Sequence, residues 1–64
     1  MKLFSIVIPC DRSEAFTRWL KSHKLGFETS SIEGGFVHYS LFLTPTQAST
    51  VNDALDEIVW KEGN

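Results

Sequence analysis

The feature that most restricts the fold is the run Phe36-Val37-His38-Tyr39-Ser40-Leu41-Phe42-Leu43-Thr44. It is the strongest β-forming stretch in the chain, and its length and apolar content suit the middle of a sheet. A central strand needs a neighbour on each side, and two are available. Residues 2–8 alternate, with Phe4, Ile6 and Ile8 on one side and Leu3, Ser5 and Val7 on the other; Pro9 should end this strand because it cannot donate to a ladder. Residues 27–33 form a weaker, polar strand rich in Thr and Ser. Gly34-Gly35 joins it to the central run and can take the positive φ that a tight hairpin requires. A two-residue turn there pairs Ile32 with Val37, Ser30 with Tyr39 and Glu28 with Leu41. Phe27 then falls on the outer face beside Phe42, unless a bulge moves it into the core.

Two helical segments separate and follow these strands. Asp11 is placed to cap a helix over about 12–25, with Glu14 three residues later as the second half of a capping box. Ala15, Phe16, Trp19, Leu20 and His23 share one stripe, and Gly26 is the candidate left-handed C-cap. The second helix starts at Thr44-Pro45-Thr46-Gln47, with Thr44 as N-cap, Pro45 in the first turn and Gln47 completing a capping box. It should run from 45 to 62, carrying Ala48, Val51, Leu55, Ile58, Val59 and Glu62 at helical spacing, with Gly63-Asn64 fraying.

The order is therefore β-α-β-β-α in 64 residues, an α+β class and a single domain. Placing the most apolar strand in the centre gives a three-stranded, antiparallel-type sheet of order 1-3-2 with both helices on one face. This topology resembles a split βαβ, ferredoxin-like fold stopped one strand early. One cysteine excludes an internal disulfide, and a chain of this size buries only about 60% of its unfolded surface. The expected supplement is a partner or a second copy.

Two surfaces are left over. The outer edge of the first strand is apolar and guarded only by Lys2 and Pro9. The sheet face away from the helices carries Leu3, Val7, Phe36, His38 and Phe42, where a solvated sheet should be polar. His38, mid-strand in this group, could make association pH-sensitive.

The net charge of −2 conceals an asymmetry. Residues 1–24 carry five cationic and two acidic side chains; residues 25–64 carry one and six. Arg18, Lys21 and Lys24 are expected on the exposed side of the first helix, and Asp53, Asp56 and Glu57 on that of the second. Both sets are candidates for contacts to a polar protein partner, or head-to-tail between copies. Trp60 aligns with the acids, as a rim residue or a lid on the core edge.

Chemistry is poorly provided for. Cys10 precedes a helix start, but no second cysteine or paired carboxylate accompanies it, and Cys10, His23 and His38 lack metal-ligand spacing. No catalytic residue, metal or cofactor is expected. The N-terminal apolar stretch is too short, and too interrupted by Ser5, for a signal peptide, so a cytoplasmic location is expected. The function these features favour is a small, non-enzymatic, homodimeric protein-binding module, acting as a regulator or inhibitor of a partner protein. Compact, motif-free domains of this kind recur among proteins encoded by phages and mobile elements. One alternative is single-stranded nucleic-acid binding on the open sheet. The topology resembles an RNA-recognition domain lacking its last strand, and Phe36, His38 and Phe42 could stack on bases, against a negative net charge. The other is small-ligand sensing between dimerised sheets near His38 and Ser40.

Overall fold

A computed structural model describes residues 1–60. Five elements follow one another: β1 (Lys2–Pro9), α1 (Cys10–Ser22), β2 (Phe27–Ile32), β3 (Phe36–Leu43) and α2 (Pro45–Leu55), the last extended by a π-helical turn over Asp56–Trp60. The strands form one sheet of order β1-β3-β2, with β3 antiparallel to both neighbours. The expected α+β architecture and strand order are thus present. The further course of the second helix to residue 62, Glu62 on its stripe and the fraying at Gly63-Asn64 lie outside the described residues.

One sheet face and both helices enclose the core. Ile8 from β1, Tyr39, Leu41 and Leu43 from β3, Phe16 and Leu20 from α1, Val51 and Leu55 from α2 and Val59 from the π turn form the buried cluster. Tyr39 is its polar exception. Its hydroxyl donates to the Ser13 carbonyl at 2.9 Å and lies 2.6 Å from Thr17 Oγ1. The single phenolic proton is used on Ser13, so Thr17 donates to Tyr39. This pair of bonds ties α1 to the central strand, and the Phe16 ring meets Tyr39 edge-on at 5.1 Å.

Four local expectations are corrected. First, α1 begins at Cys10 with Pro9 at the N-cap and no side-chain cap from Asp11. The strand runs straight into the helix, and the Cys10 N–H stays in the sheet by donating to the Gly35 carbonyl at 2.7 Å. Pro9 is itself the last strand residue, opposite Phe36. Since Cys10 pairs inward with Gly35, alternation turns the nitrogen of Pro9 outward, where its missing N–H breaks no ladder bond.

Second, α1 ends at Ser22 and the left-handed residue is Lys24, at φ 56°, rather than Gly26. Leu25 N–H reaches the Leu20 carbonyl and Lys24 N–H the Lys21 carbonyl, both at 3.1 Å, a Schellman closure. On the expected stripe, Phe16 and Leu20 are buried and Trp19 half-buried, whereas Ala15 and His23 are exposed. Third, the hairpin loop holds three residues, Glu33-Gly34-Gly35, with φ of 89° and 82° at the glycines. Ile32 therefore pairs with Phe36, Ser30 with His38, Glu28 with Ser40 and Phe27 with Leu41. This shift by one residue puts Phe27 against the core, 6.1 Å from the Tyr39 ring, and turns Ile32 outward.

Fourth, the second helix is not uniform. Its start is as expected: Thr44 Oγ1 accepts from the Gln47 N–H at 3.2 Å and Gln47 Oε1 from the Thr44 N–H at 3.0 Å. After Leu55 it widens to π geometry. In an α-helix Val59 would stand about 80° round from Val51. The wider turn advances less per residue and keeps Val59 buried in line with Val51 and Leu55.

Candidate protein-binding surface

The outer face of the sheet is built by alternation. β1 contributes Leu3, Ser5, Val7 and Pro9; β3 contributes Phe36, His38, Ser40 and Phe42; β2 contributes Glu28, Ser30 and Ile32. Leu3 is 58% exposed, Phe42 57%, Val7 44%, Ile32 43% and Phe36 42%, and these five lie on this one face. His38 is half-buried among them. All five expected interface residues thus stand together, and Ile32 joins them. Its place was hidden because a two-residue turn would have sent it inward; the polar Glu33 ahead of the glycines was the available signal for a longer loop.

Register divides the face into rows. Leu3 pairs with Phe42 at one end, and Pro9, Phe36 and Ile32 align at the other, next to Val7 and His38. Between them runs a polar row of Ser5, Ser40 and Glu28. The face is thus two apolar ends with a hydroxyl-rich middle, and among the described residues Glu28 is its only formal charge.

Arg18, Lys21, Asp53, Asp56 and Glu57 are exposed on their helices as expected, and only Lys24 lies outside its helix. Arg18 is held by Glu14 at 2.9 Å, an exposed i,i+4 pair. Lys21 shares a shallow depression with Glu14, Thr17 and Arg18. Lys24 stands beyond the helix in its C-terminal turn, so the three cations do not make one helical face. Asp53 on α2 and Glu57 on the π turn line a shallow groove opposite Trp19 and His23 of α1. Asp56 is exposed outside it, and Trp60 is 53% exposed. The His23 ring stacks on Trp19 at 4.1 Å, with Nδ1 3.0 Å from the Trp19 carbonyl. The ring thus packs back on the end of its own helix.

Cys10 is exposed, and among the described residues no group of three His, Cys, Asp or Glu side chains is gathered as a metal site would need. No helix among the described residues is long and apolar enough to cross a membrane. The chain matches no known family model, and no curated protein or solved structure is significantly similar to it.

Proposed function

We propose that this chain is a non-catalytic protein-binding module that self-associates through the open face of its sheet and regulates or inhibits a partner protein by occupying its surface. The observation that carries this reading is the gathering of Leu3, Val7, Ile32, Phe36 and Phe42, all exposed, on the one face the helices leave bare. Fully burying one such side chain is worth roughly 1.5–3 kcal/mol, a large term for a domain of this size. Two sheets packed face to face, about 10 Å apart, would cover both apolar ends at once. The exposed Trp60, with the exposed cations of α1 and acids of α2, is a further candidate for contact with the partner.

Composition of the face weighs against nucleic acid, because the strands give it one formal charge, the carboxylate of Glu28, and among the described residues no Lys or Arg lies on it.

Mass in solution tests the reading. The 7.2 kDa chain should show a concentration-dependent dimer by light scattering. Phe36→Asp and Phe42→Asp should give folded monomers, since neither side chain belongs to the core cluster. A 7.2 kDa monomer at every concentration up to the millimolar range would defeat self-association. Binding of single-stranded oligonucleotide at low salt would favour the nucleic-acid alternative instead.

A further inference from the structure

The free edge of β1 is a second surface, distinct from the open face. No described strand lies beyond it. The Cys10–Gly35 bond sets the alternation: Lys2, Phe4, Ile6 and Ile8 turn their N–H and C=O groups toward β3, so Leu3, Ser5 and Val7 turn theirs away from the sheet. Directly under this edge, on the helix side, is an open groove. Phe4 and Ile6 line it from β1, Leu43 from β3, and Ala48, Val51 and Leu55 from α2. It continues past Phe4 and Leu43 to Met1, Lys2 and Pro45 at the start of α2. An unpaired backbone and an apolar trough thus run side by side along the same strand. Lys2 is the one charged residue of that strand and borders the trough at its end.

We propose that this edge takes an extended segment of a partner protein as a fourth strand. The proposal rests on the reading of the chain as a protein-binding module and names how it holds its partner. The segment pairs its backbone with Leu3, Ser5 and Val7. Alternate apolar side chains enter the trough between Phe4, Ile6 and α2, and an acidic side chain meets Lys2. The β1 of a second copy brings another Lys2 and no acidic side chain, so it lacks the charge complement that a partner segment can supply. A dimer that persists in Phe42→Asp and is lost in Ser5→Pro would instead put a second copy on this edge and overturn the proposal. The edge of β2 makes no equal offer, since it is flanked by exposed Glu28, Thr29, Ser30 and Ser31.

The probe is a fluorescein-labelled octapeptide of alternating Val and Thr with Glu at one end. It should bind the intact chain, and hydrogen exchange at the amides of Leu3, Ser5 and Val7 should slow at least tenfold on binding. The same peptide N-methylated on alternate residues, on the edge that would pair, should lose binding by tenfold or more. Asn52→Trp, from an exposed position on the trough wall, should weaken binding by a similar factor while the fold is kept. Ser5→Pro, which removes an outward donor as Pro9 already does, should do the same. Phe42→Asp should abolish the dimer yet leave peptide binding intact. Failure of the peptide to bind at millimolar concentration, or binding that Asn52→Trp leaves unchanged and Phe42→Asp removes, would overturn the edge proposal. Neither result would touch the separate mass test of the open face.

Discussion

Replacing Tyr39 by Phe isolates the polar link in an otherwise apolar core. The ring is fully buried and would keep its contacts with Phe16 and Phe27, so the change removes one oxygen and two hydrogen bonds, to Ser13 and from Thr17. Each bond contributes about 0.5–1.5 kcal/mol net. The Ser13 carbonyl belongs to α1 and is also the ordinary i,i+4 helical acceptor, and Thr17 is only part-buried and can turn to water, so the lower half of the range applies. The expected loss is about 1–2 kcal/mol, against a total of ~3–10 kcal/mol for a 64-residue domain. With an unfolding entropy of about 130 cal/mol/K for this length, each kcal/mol lowers Tm by roughly 7 °C. Urea and thermal unfolding followed by circular dichroism measure it. Thr17→Val removes the donor while leaving the Tyr39–Ser13 bond, and should cost about 1 kcal/mol or less. In the double mutant the two losses should fall short of additivity by at least ~0.5 kcal/mol. A Tyr39→Phe variant within 0.3 kcal/mol of the parent, or strict additivity with Thr17→Val, would refute the claim that these bonds hold α1 to β3 (~0.3 kcal/mol being the scatter of additive pairs).

Two further outcomes follow from backbone and cap geometry. Lys24→Gly relieves a left-handed residue that has a Cβ, and net of the added freedom of the unfolded chain it should stabilise by about 0.5–1 kcal/mol in urea denaturation; destabilisation would mean the Lys side chain holds the turn. Thr44→Ala removes the acceptor for the Gln47 N–H and should cost about 1 kcal/mol; no change in the denaturation midpoint would show the capping box to be dispensable.

What was legible in the sequence was whatever depends on a few neighbouring residues. Thr44-Pro45-Thr46-Gln47 specifies its helix start locally, and the structure holds both bonds of the box. The alternation of Phe4, Ile6 and Ile8, and the apolar length of residues 36–43, fixed the faces and the central strand. The misreadings share one cause: a local signal overruled by a longer-range constraint. Asp11 has the chemistry of a cap, but the ladder bond from Cys10 to Gly35 starts the helix earlier. Gly26 is the residue best suited to positive φ, yet closure after Leu20 falls on Lys24. Gly34-Gly35 suits a two-residue turn, but burying Phe27 beside Tyr39 selects the register that needs three. The same register turns Ile32 onto the open face. The Ser13–Tyr39–Thr17 link joins residues more than twenty positions apart and leaves no periodic trace.

The two edges of the sheet provide a comparison within one molecule. Among the described residues both strands pair on one side only, and both present alternate backbone groups outward. β2 flanks its edge with Glu, Thr and Ser, the side chains that keep such an edge solvated. β1 flanks its own with Leu3, Phe4, Ile6 and Val7. The monomer core does not require all of these. Leu3 and Val7 stand outside the core cluster, and Thr at either place would retain β propensity at little loss of burial. A small domain short of buried surface would be expected to spend its apolar residues inside. Instead this chain places Leu3, Val7, Phe36, Phe42 and Ile32 on the open face and leaves Phe4 and Ile6 half-covered beside an unpaired backbone. Apart from Met1 and Trp60, the large exposed apolar side chains among the described residues lie on β1, β3 and the last residue of β2. Such segregation fits surfaces shaped for contact better than a general shortage of core.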